Sequence, residues 1–418
     1  MSDVIVIGGG PAGSTVAALV AATGRQVQLF EREQFPRFTI GESLMPETYW
    51  TFKRLGVLDQ LRDSAFPRKH SVQFFGKSGR GSTPFYFSDT NPHESAITWQ
   101  VLRGPFDEML LDNARAKGAH VHQGTRVLEV LFDGDRATGV RGKLADGQTR
   151  DFAAQVIVDA TGQSALIGRK LKLTQPEPEL KKASIYTHYR GGQRDEGIDE
   201  GATLILHTET RDSWFWYIPL PDDKISVGVV GAISYLVQGR REDAQTIFDQ
   251  ELAKCRPMQE RLQNAEQLFP VKTTKDFSYR ASRIAGEGWV LVGDAFCFLD
   301  PMYSSGVYLA LKSGEMAADA IAEAFAKGDF SAEQLGGFGS ELVRGMEAVR
   351  KMVYAFYSKD FSFAEFLKRH PECKQGVIDV LSGNLFSERV EPIFGPMSEV
   401  CEMPAAVPLT PQPSGATP

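Results

Sequence analysis

Cysteine is scarce in this chain, and its few cysteines lie far apart. They form no Cys-x-x-Cys pair, so neither a zinc site nor a disulfide framework is predicted: Cys255, Cys297, Cys373 and Cys401. Buried thiols in a reducing compartment are the simpler interpretation, and we expect a cytoplasmic protein. His120 and His122 are interpreted as surface residues of one strand rather than as metal ligands, and no metal is expected.

Long apolar runs and an excess of positive charge are also missing. No apolar run approaches the length that spans a bilayer, and no basic segment precedes the first one, so neither a membrane span nor a secretory signal is expected. The net charge of -7 argues against a general nucleic-acid binder. The chain has 418 residues, which is enough for two or three structural units.

The first distinctive feature is a glycine-rich turn that separates a strand from a helix. Residues 3–7, DVIVI, form the continuous apolar run of a strand buried on both faces, and GGGPAG follows directly. In this pattern Gly8 permits a tight turn, Gly10 lets a pyrophosphate approach the backbone, and Gly13 lets helix and strand pack closely. Glu31 ends the next strand at the spacing of a carboxylate that binds ribose hydroxyls. We therefore predict a dinucleotide site at the helix start.

A second acidic anchor, far along the chain, favours FAD over NAD as this dinucleotide. Gly293 and Asp294 follow another apolar run and precede a helix. An anchor so distant in sequence suits a long, extended ligand, although Asp294 could instead only cap the turn.

The order of elements predicts an α/β fold: a Rossmann-like FAD-binding domain with a β-meander, an antiparallel-sheet substrate domain and a helical C-terminal region. The FAD-binding domain is assigned to residues 1–75, 100–180 and 280–330, and the substrate-binding sheet to 76–99 and 181–279. The helical region covers 331–405. The Pro- and Ser-rich tail, 406–418, is predicted to be disordered.

The stretch DSWFWYIPL, residues 212–220, concentrates aromatic side chains in one strand. Alternate residues of a strand share a face, so Trp214, Trp216 and Ile218 point to one side. Phe215 and Tyr217 point to the other. Spacing alone favours ordinary core packing, and the wall of an active site stays open as the alternative.

Several motifs together resemble known flavoenzymes. GGGPAG, FERE, Arg103 before FDEMLL, DATG and GDAFCFLDP occur in the order typical of the FAD-dependent monooxygenase superfamily with the p-hydroxybenzoate hydroxylase type of fold. PRFTIGESL, FPRK, WFWYIP and DPMYSSGVYLA are similar to motifs of the flavin-dependent halogenases, especially the branch acting on pyrroles and phenols. Tyr303 stands where tryptophan halogenases carry a glutamate, which argues against free tryptophan as substrate and leaves the proton-removing base open.

The resemblance implies a division of roles among residues. Lys69 would be the catalytic lysine, which polarises hypohalous acid or forms a haloamine, and Trp214 and Trp216, the indole wall, would keep substrate from the flavin. The Ser305 and Gly306 backbone would bind chloride or bromide. The residues expected to contact FAD are Gly8, Gly10, Ala12, Gly13, Glu31, Arg32, Ser43, Arg103, Val127, Asp294 and Gly306.

The implied reaction begins with FAD reduced by a separate flavin reductase. A flavin hydroperoxide then oxidises the halide to hypohalous acid, which Lys69 directs onto an electron-rich aromatic ring, free or bound to a carrier protein. Alternatives left open by the sequence are an FAD-dependent aromatic hydroxylase, a geranylgeranyl-reductase-like oxidoreductase, and a flavoprotein that binds a carrier protein without catalysis.

Overall fold

The computed structural model describes residues 2–275, 277–359 and 361–410. The strands are β1 (Ser2–Ile7), β2 (Val27–Glu31), β3 (Arg68–Lys69), β4 (Ser71–Phe75), β5 (Phe85–Tyr86), β6 (Thr98–Trp99), β7 (His120–Gln123), β8 (Arg126–Asp133), β9 (Arg136–Lys143), β10 (Thr149–Asp159), β11 (Thr174–Pro176), β12 (Lys182–Arg190), β13 (Thr203–His207), β14 (Ser213–Pro219), β15 (Lys224–Ala232), β16 (Glu266–Gln267), β17 (Lys272–Lys275), β18 (Tyr279–Ala281), β19 (Ala285–Gly286), β20 (Trp289–Leu291) and β21 (Cys297–Phe298).

The helices follow the same order. They are α1 (Pro11–Ala21), α2 (Thr48–Leu55), α3 (Leu58–Arg62), α4 (Arg103–Ala116), α5 (Leu166–Lys170), α6 (Ile233–Leu236), α7 (Ala244–Leu252), α8 (Arg256–Leu262), α9 (Ser305–Lys327), α10 (Ala332–Gly336), α11 (Gly339–Tyr357), α12 (Phe363–Arg369), α13 (Lys374–Ser382) and α14 (Phe394–Ser398). Short 3₁₀ segments include Phe87–Asp89 and Gly293–Ala295.

The first sheet is the predicted nucleotide-binding sheet. Its strands run in the order β19-β20-β10-β1-β2-β7, and β20, β10, β1, β2 and β7 are mutually parallel. The apolar run before Gly293 therefore returns to the first sheet, as predicted. The predicted meander consists of β8, β9 and β10, while β7 is an edge strand of the parallel sheet rather than part of the meander. On this strand His120 is exposed, whereas His122 is half-buried and stacks on Phe30.

The second sheet is mainly antiparallel, as expected for the substrate domain. Its order is β16-β12-β15-β14-β13-β4-β5, and β17 also pairs with β12. Strand β4 joins this sheet through a parallel pairing with β13, although the division by sequence placed residues up to 75 in the FAD-binding domain. A boundary drawn from motif order misses this strand because the pairing partner lies more than a hundred residues away.

Strand β14 is buried on both faces, and its two faces belong to different cores. Trp214, Trp216 and Ile218 join the large core shared with the first sheet and the C-terminal helices. Phe215 and Tyr217 join a smaller core that α7 and α8 cover. The predicted alternation is thus confirmed.

The C-terminal region is helical, as predicted, but the end of the chain is more ordered than expected. The carbonyl oxygens of Val407 and Pro408 accept hydrogen bonds from Arg280, and the Thr410 N–H donates to the Ser282 carbonyl. The disorder predicted from residue 406 is therefore wrong for these residues, and 411–418 lie outside the described residues. No helix in the described ranges is long and apolar enough to cross a membrane.

Candidate active site

A cavity of about 750 Å³ lies between the carboxyl ends of the parallel strands and the inner face of the second sheet. Ligands of open α/β sheets bind at this edge of the strands. Every residue predicted to contact FAD lines the cavity except Gly13: Gly8, Gly10, Ala12, Glu31, Arg32, Ser43, Arg103, Val127, Asp294 and Gly306. Its size is that of a pocket for a large small-molecule ligand.

The glycine-rich turn combines two kinds of constraint. Gly8 has φ +104°, and a Cβ there would lie 2.4 Å from the Ala160 carbonyl oxygen. A Cβ on Gly13 would lie 1.9 Å from the Gly8 oxygen, so Gly13 is required for packing of helix on strand. At Gly10, by contrast, the nearest atom would be 3.6 Å away, on Arg37. The protein itself has room for a side chain at Gly10, and the glycine leaves space for the ligand.

Glu31 forms a hydrogen bond with the backbone of the same turn. One carboxylate oxygen accepts the Gly9 N–H at 2.8 Å and the other accepts the Glu33 N–H at 2.9 Å. These bonds fix a buried carboxylate at the end of β2, where it lines the cavity. The position matches that of a ribose-binding acid.

Arg103 lines the cavity at the start of α4. Its guanidinium makes two hydrogen bonds to the Asp107 carboxylate, at 2.8 and 3.0 Å, and a third to the Ile40 carbonyl at 2.6 Å. Arg37 also contacts Asp107, at 3.2 Å. Asp107 and Arg37 were missed by the sequence analysis. The i,i+4 spacing of Arg103 and Asp107 was the signal that could have indicated the pair.

Asp294 follows β20 and lines the cavity near the start of α1, since a Cβ on the preceding Gly293 would lie 3.1 Å from the Cβ of Ala12. Burial raises the pKa of Asp294 to about 7, and the positive charge of Arg103 opposes that rise. A polar group of the ligand that donates to this carboxylate would offset the cost of burial. Glu31, at the end of β2, and Asp294, after β20, both line the cavity, and strands β1 and β10 lie between β2 and β20 in the sheet. Two separated acids suit an extended dinucleotide.

The two tryptophans of the indole wall have different surroundings. Trp216 lines the cavity, and its indole N–H donates to Ser226 at 3.1 Å. Its ring lies over Gly228 on β15, where a Cβ would be 2.2 Å from the indole. Trp214 lies outside the cavity lining, 6.4 Å from Trp216 between ring centres, and its N–H donates to the Tyr357 hydroxyl at 3.1 Å.

Lys69 is buried beside the cavity, with 2% of its surface exposed. Its Nζ donates to Ser43 Oγ at 2.9 Å and to the Leu44 carbonyl at 3.0 Å, and no carboxylate contacts it among the described residues. Burial lowers the pKa of Lys69 from 10.5 to about 7. Ser43 lines the cavity, so one hydroxyl separates the cavity from the amine. Lys77, in the next loop, is exposed.

Residues 300–306, here called the 300–306 loop, include the first two residues of the long helix α9. Ser304 is left-handed, with φ +58°, and the helix begins at Ser305. Ser304 and Gly306 line the cavity, while Ser305 is buried just behind them. The first N–H groups of a helix lack partners within the helix and suit an anion.

Two relatives extend over nearly the whole chain. It is 31% identical over 387 residues to the 1H-pyrrole-2-carbonyl-(peptidyl-carrier protein) brominase of Pseudoalteromonas luteoviolacea, a match that covers 92% of each chain. It is 29% identical over 419 residues to the corresponding chlorinase of Pseudomonas fluorescens, covering 95% of this chain and 92% of that one. Residues 1–341 match the family described as FAD binding domain. The chain belongs to the flavin-dependent halogenases.

A solved structure supports the same assignment. The myxobacterial chondrochloren halogenase CndH, an FAD-dependent halogenase, is 31% identical and superposes with a TM-score of 0.81 over 96% of each chain. FAD is accordingly the cofactor of this halogenase and a halide its co-substrate. Three features fit the dinucleotide: the free space beside Gly10, the Glu31 carboxylate and the extended cavity.

Proposed function

We propose that this halogenase chlorinates or brominates an electron-rich ring, a phenol or a pyrrole, that is tethered to a carrier protein. The single observation that carries the proposed chemistry is the buried amine of Lys69, which no carboxylate contacts among the described residues and whose pKa burial lowers to about 7. Both pyrrole-halogenating relatives act on a pyrrole ring bound to a peptidyl carrier protein, which supports the ring and the carrier in this proposal.

Residues that line the extended cavity would hold the cofactor. In this proposal Glu31 would bind the ribose, Gly10 and the start of α1 would bind the pyrophosphate, and Arg103 would contact the cofactor from the start of α4. Reduced FAD with dioxygen supplies the oxidising equivalent that converts halide to hypohalous acid. We infer that a separate flavin reductase provides the reduced FAD, since the sequence carries one strand–glycine turn–helix motif. We also infer that the enzyme works in the cytoplasm, because Cys255, Cys297, Cys373 and Cys401 are free thiols, as in a reducing compartment.

The halide is held in this proposal by the backbone at the start of α9. The N–H groups of Ser305 and Gly306 attract a small anion, and Gly306 lines the cavity. Trp216, on β14 of the second sheet, lines the same cavity, and in this proposal it keeps a bulky ring away from the flavin while hypohalous acid passes.

Lys69 then transfers the halogen. Its neutral amine attacks the halogen of hypohalous acid: an N–halogen bond forms and the halogen–oxygen bond breaks. The hydroxide that leaves takes a proton from the lysine nitrogen and becomes water. The ring carbon next attacks the halogen, the N–halogen electron pair returns to nitrogen, and the ring loses its proton. Ser43 lines the cavity and its Oγ accepts a hydrogen bond from Nζ at 2.9 Å, so in this proposal the amine meets hypohalous acid beside Ser43.

The test uses the FAD-loaded protein, an added flavin reductase, NADH, oxygen and bromide or chloride. 4-Hydroxybenzoate, a phenol that carries a carboxyl group, and pyrrole-2-carboxylate are offered free and as thioesters on a peptidyl carrier protein, and products are measured by mass spectrometry. We expect halogenated carrier-bound product, at least tenfold more than from the free ring.

Two variants separate the role of Lys69 from a general effect of lysine. Lys69→Ala should lose at least a hundredfold in halogenation, while Lys77→Ala, which removes an exposed lysine, should match the parent. Equal halogenation by Lys69→Ala would contradict the role of Lys69. Halogenation of the free ring alone would contradict carrier presentation.

A further inference from the structure

Three separate parts of the molecule meet at the hydroxyl of Tyr357, the last residue of α11. The hydroxyl accepts the indole N–H of Trp214 at 3.1 Å. It donates to the Asp300 carboxylate, whose oxygens lie 3.0 and 3.3 Å away. The ammonium of Lys182, on β12, lies 3.7 Å from the centre of the tyrosine ring. One side chain thus joins the indole wall, the 300–306 loop and the C-terminal helices.

Asp300 connects the Tyr357 hydroxyl to the backbone of the 300–306 loop. Its carboxylate accepts the Met302 N–H at 2.9 Å, and Met302 lines the cavity. Asp300 is only 1% exposed, so it relies on these partners to offset the cost of burial. Ser304, two residues after Met302, adopts a left-handed conformation. This conformation is strained for a residue other than glycine and persists only where neighbouring contacts impose it.

The residue before Tyr357, at the end of α11, also contacts the indole wall. Phe356 packs edge-on against Trp214, at 5.9 Å between ring centres, and also contacts Tyr303 of the loop at 6.5 Å. Trp214 in turn packs against Trp216, which lines the cavity. A displacement of Tyr357 would therefore reach both the wall and the loop.

We propose that Tyr357 is a positioning residue that holds the indole wall and the 300–306 loop in one arrangement, so that the halide stays bound and hypohalous acid does not escape. The proposal rests on the roles proposed above for the wall and the loop. Tyr357 acts through Trp214 and Asp300.

The test replaces one hydroxyl. Tyr357→Phe keeps the ring that packs beneath Lys182 and removes both hydrogen bonds. We expect the KM for bromide to rise about tenfold, which corresponds to about 1.4 kcal/mol, the scale of one hydrogen bond to a charged group. The fraction of oxygen released as hydrogen peroxide should rise at least twofold, while FAD affinity stays unchanged.

Tyr354→Phe is the matched control. Tyr354 lies one turn earlier on α11 and donates its hydroxyl to Glu177, whereas Trp214 and Asp300 bond to the hydroxyl of Tyr357. It should leave the bromide KM and the peroxide fraction at the parent values. A Trp214→Phe variant, which removes the indole N–H, completes a double-mutant cycle with Tyr357→Phe, and the two effects should be less than additive.

A measurement without turnover separates this proposal from the proposed function. Bromide is titrated into the FAD-loaded proteins, and its dissociation constant is read from the flavin absorbance. If the parent halogenated none of the probes, a weaker bromide affinity in Tyr357→Phe than in Tyr354→Phe would still support Tyr357. Equal affinities and equal peroxide fractions in the two variants would overturn it, as would a loss of FAD binding in Tyr357→Phe.

Discussion

Replacing Lys69 by methionine should make the protein more stable and inactive at once. The ammonium form of Lys69 is disfavoured by burial: its pKa falls from 10.5 to about 7. That difference corresponds to about 5 kcal/mol at about 1.36 kcal/mol per pKa unit. Methionine has a similar length and carries no charge, so it fills the same space without this cost.

The sign follows from proton binding in the two states. Between pH 7 and 10.5 the unfolded chain keeps the proton on Lys69 and the folded chain has lost it, so stability from this group rises with pH across that window. Below pH 7 the folded protein bears the full cost. Methionine also loses the bonds to Ser43 and the Leu44 carbonyl, which offsets part of the gain. We expect a net stabilisation of about 1–3 kcal/mol at pH 7.

The assay compares thermal unfolding of FAD-loaded Lys69→Met, Lys77→Met and the parent at pH 6, 7 and 9. The gain in Tm for Lys69→Met should be largest at pH 6 and smallest at pH 9, and Lys77→Met should show none. In the parent, halogenation should increase as pH rises through about 7, because the neutral amine is the nucleophile. A lower Tm for Lys69→Met at pH 6, or a parent rate that is flat from pH 6 to 8, would refute the reasoning.

Four further substitutions, with one control, test the cavity and the glycine-rich turn. Gly228→Ala places a Cβ 2.2 Å from the Trp216 indole, so halogenation should fall at least tenfold and peroxide release should rise; Gly76→Ala, where the added atom meets open space, should behave as the parent. Gly10→Ala should fold normally and bind FAD at least tenfold more weakly by titration, whereas Gly13→Ala should reduce the yield of folded protein. Ser43→Ala removes the contact to Lys69 and should alter the pH at which halogenation is half-maximal, without preventing FAD binding.

Local patterns were sufficient wherever the physical constraint is itself local. The glycine-rich turn, the Glu31 spacing and the alternation along β14 each depend on residues close in sequence, and the structure confirms their geometry. The contacts of Lys69 depend on residues 43 and 44, which a separate loop brings to it. A lysine beside Arg68 in the sequence looks like a surface residue, and only its surroundings in the fold make it a buried amine.

The sequence by itself determined the dinucleotide turn, the two-faced aromatic strand and the family, because short-range spacing and motif order carry all three. Only the tertiary structure decided that β4 belongs to the second sheet, that Trp216 but not Trp214 borders the cavity, and that Tyr357 links the indole wall to the 300–306 loop. These last relations join residues more than fifty positions apart. They depend on how helices and sheets pack against one another, and the residue pattern within a single segment does not predict that packing.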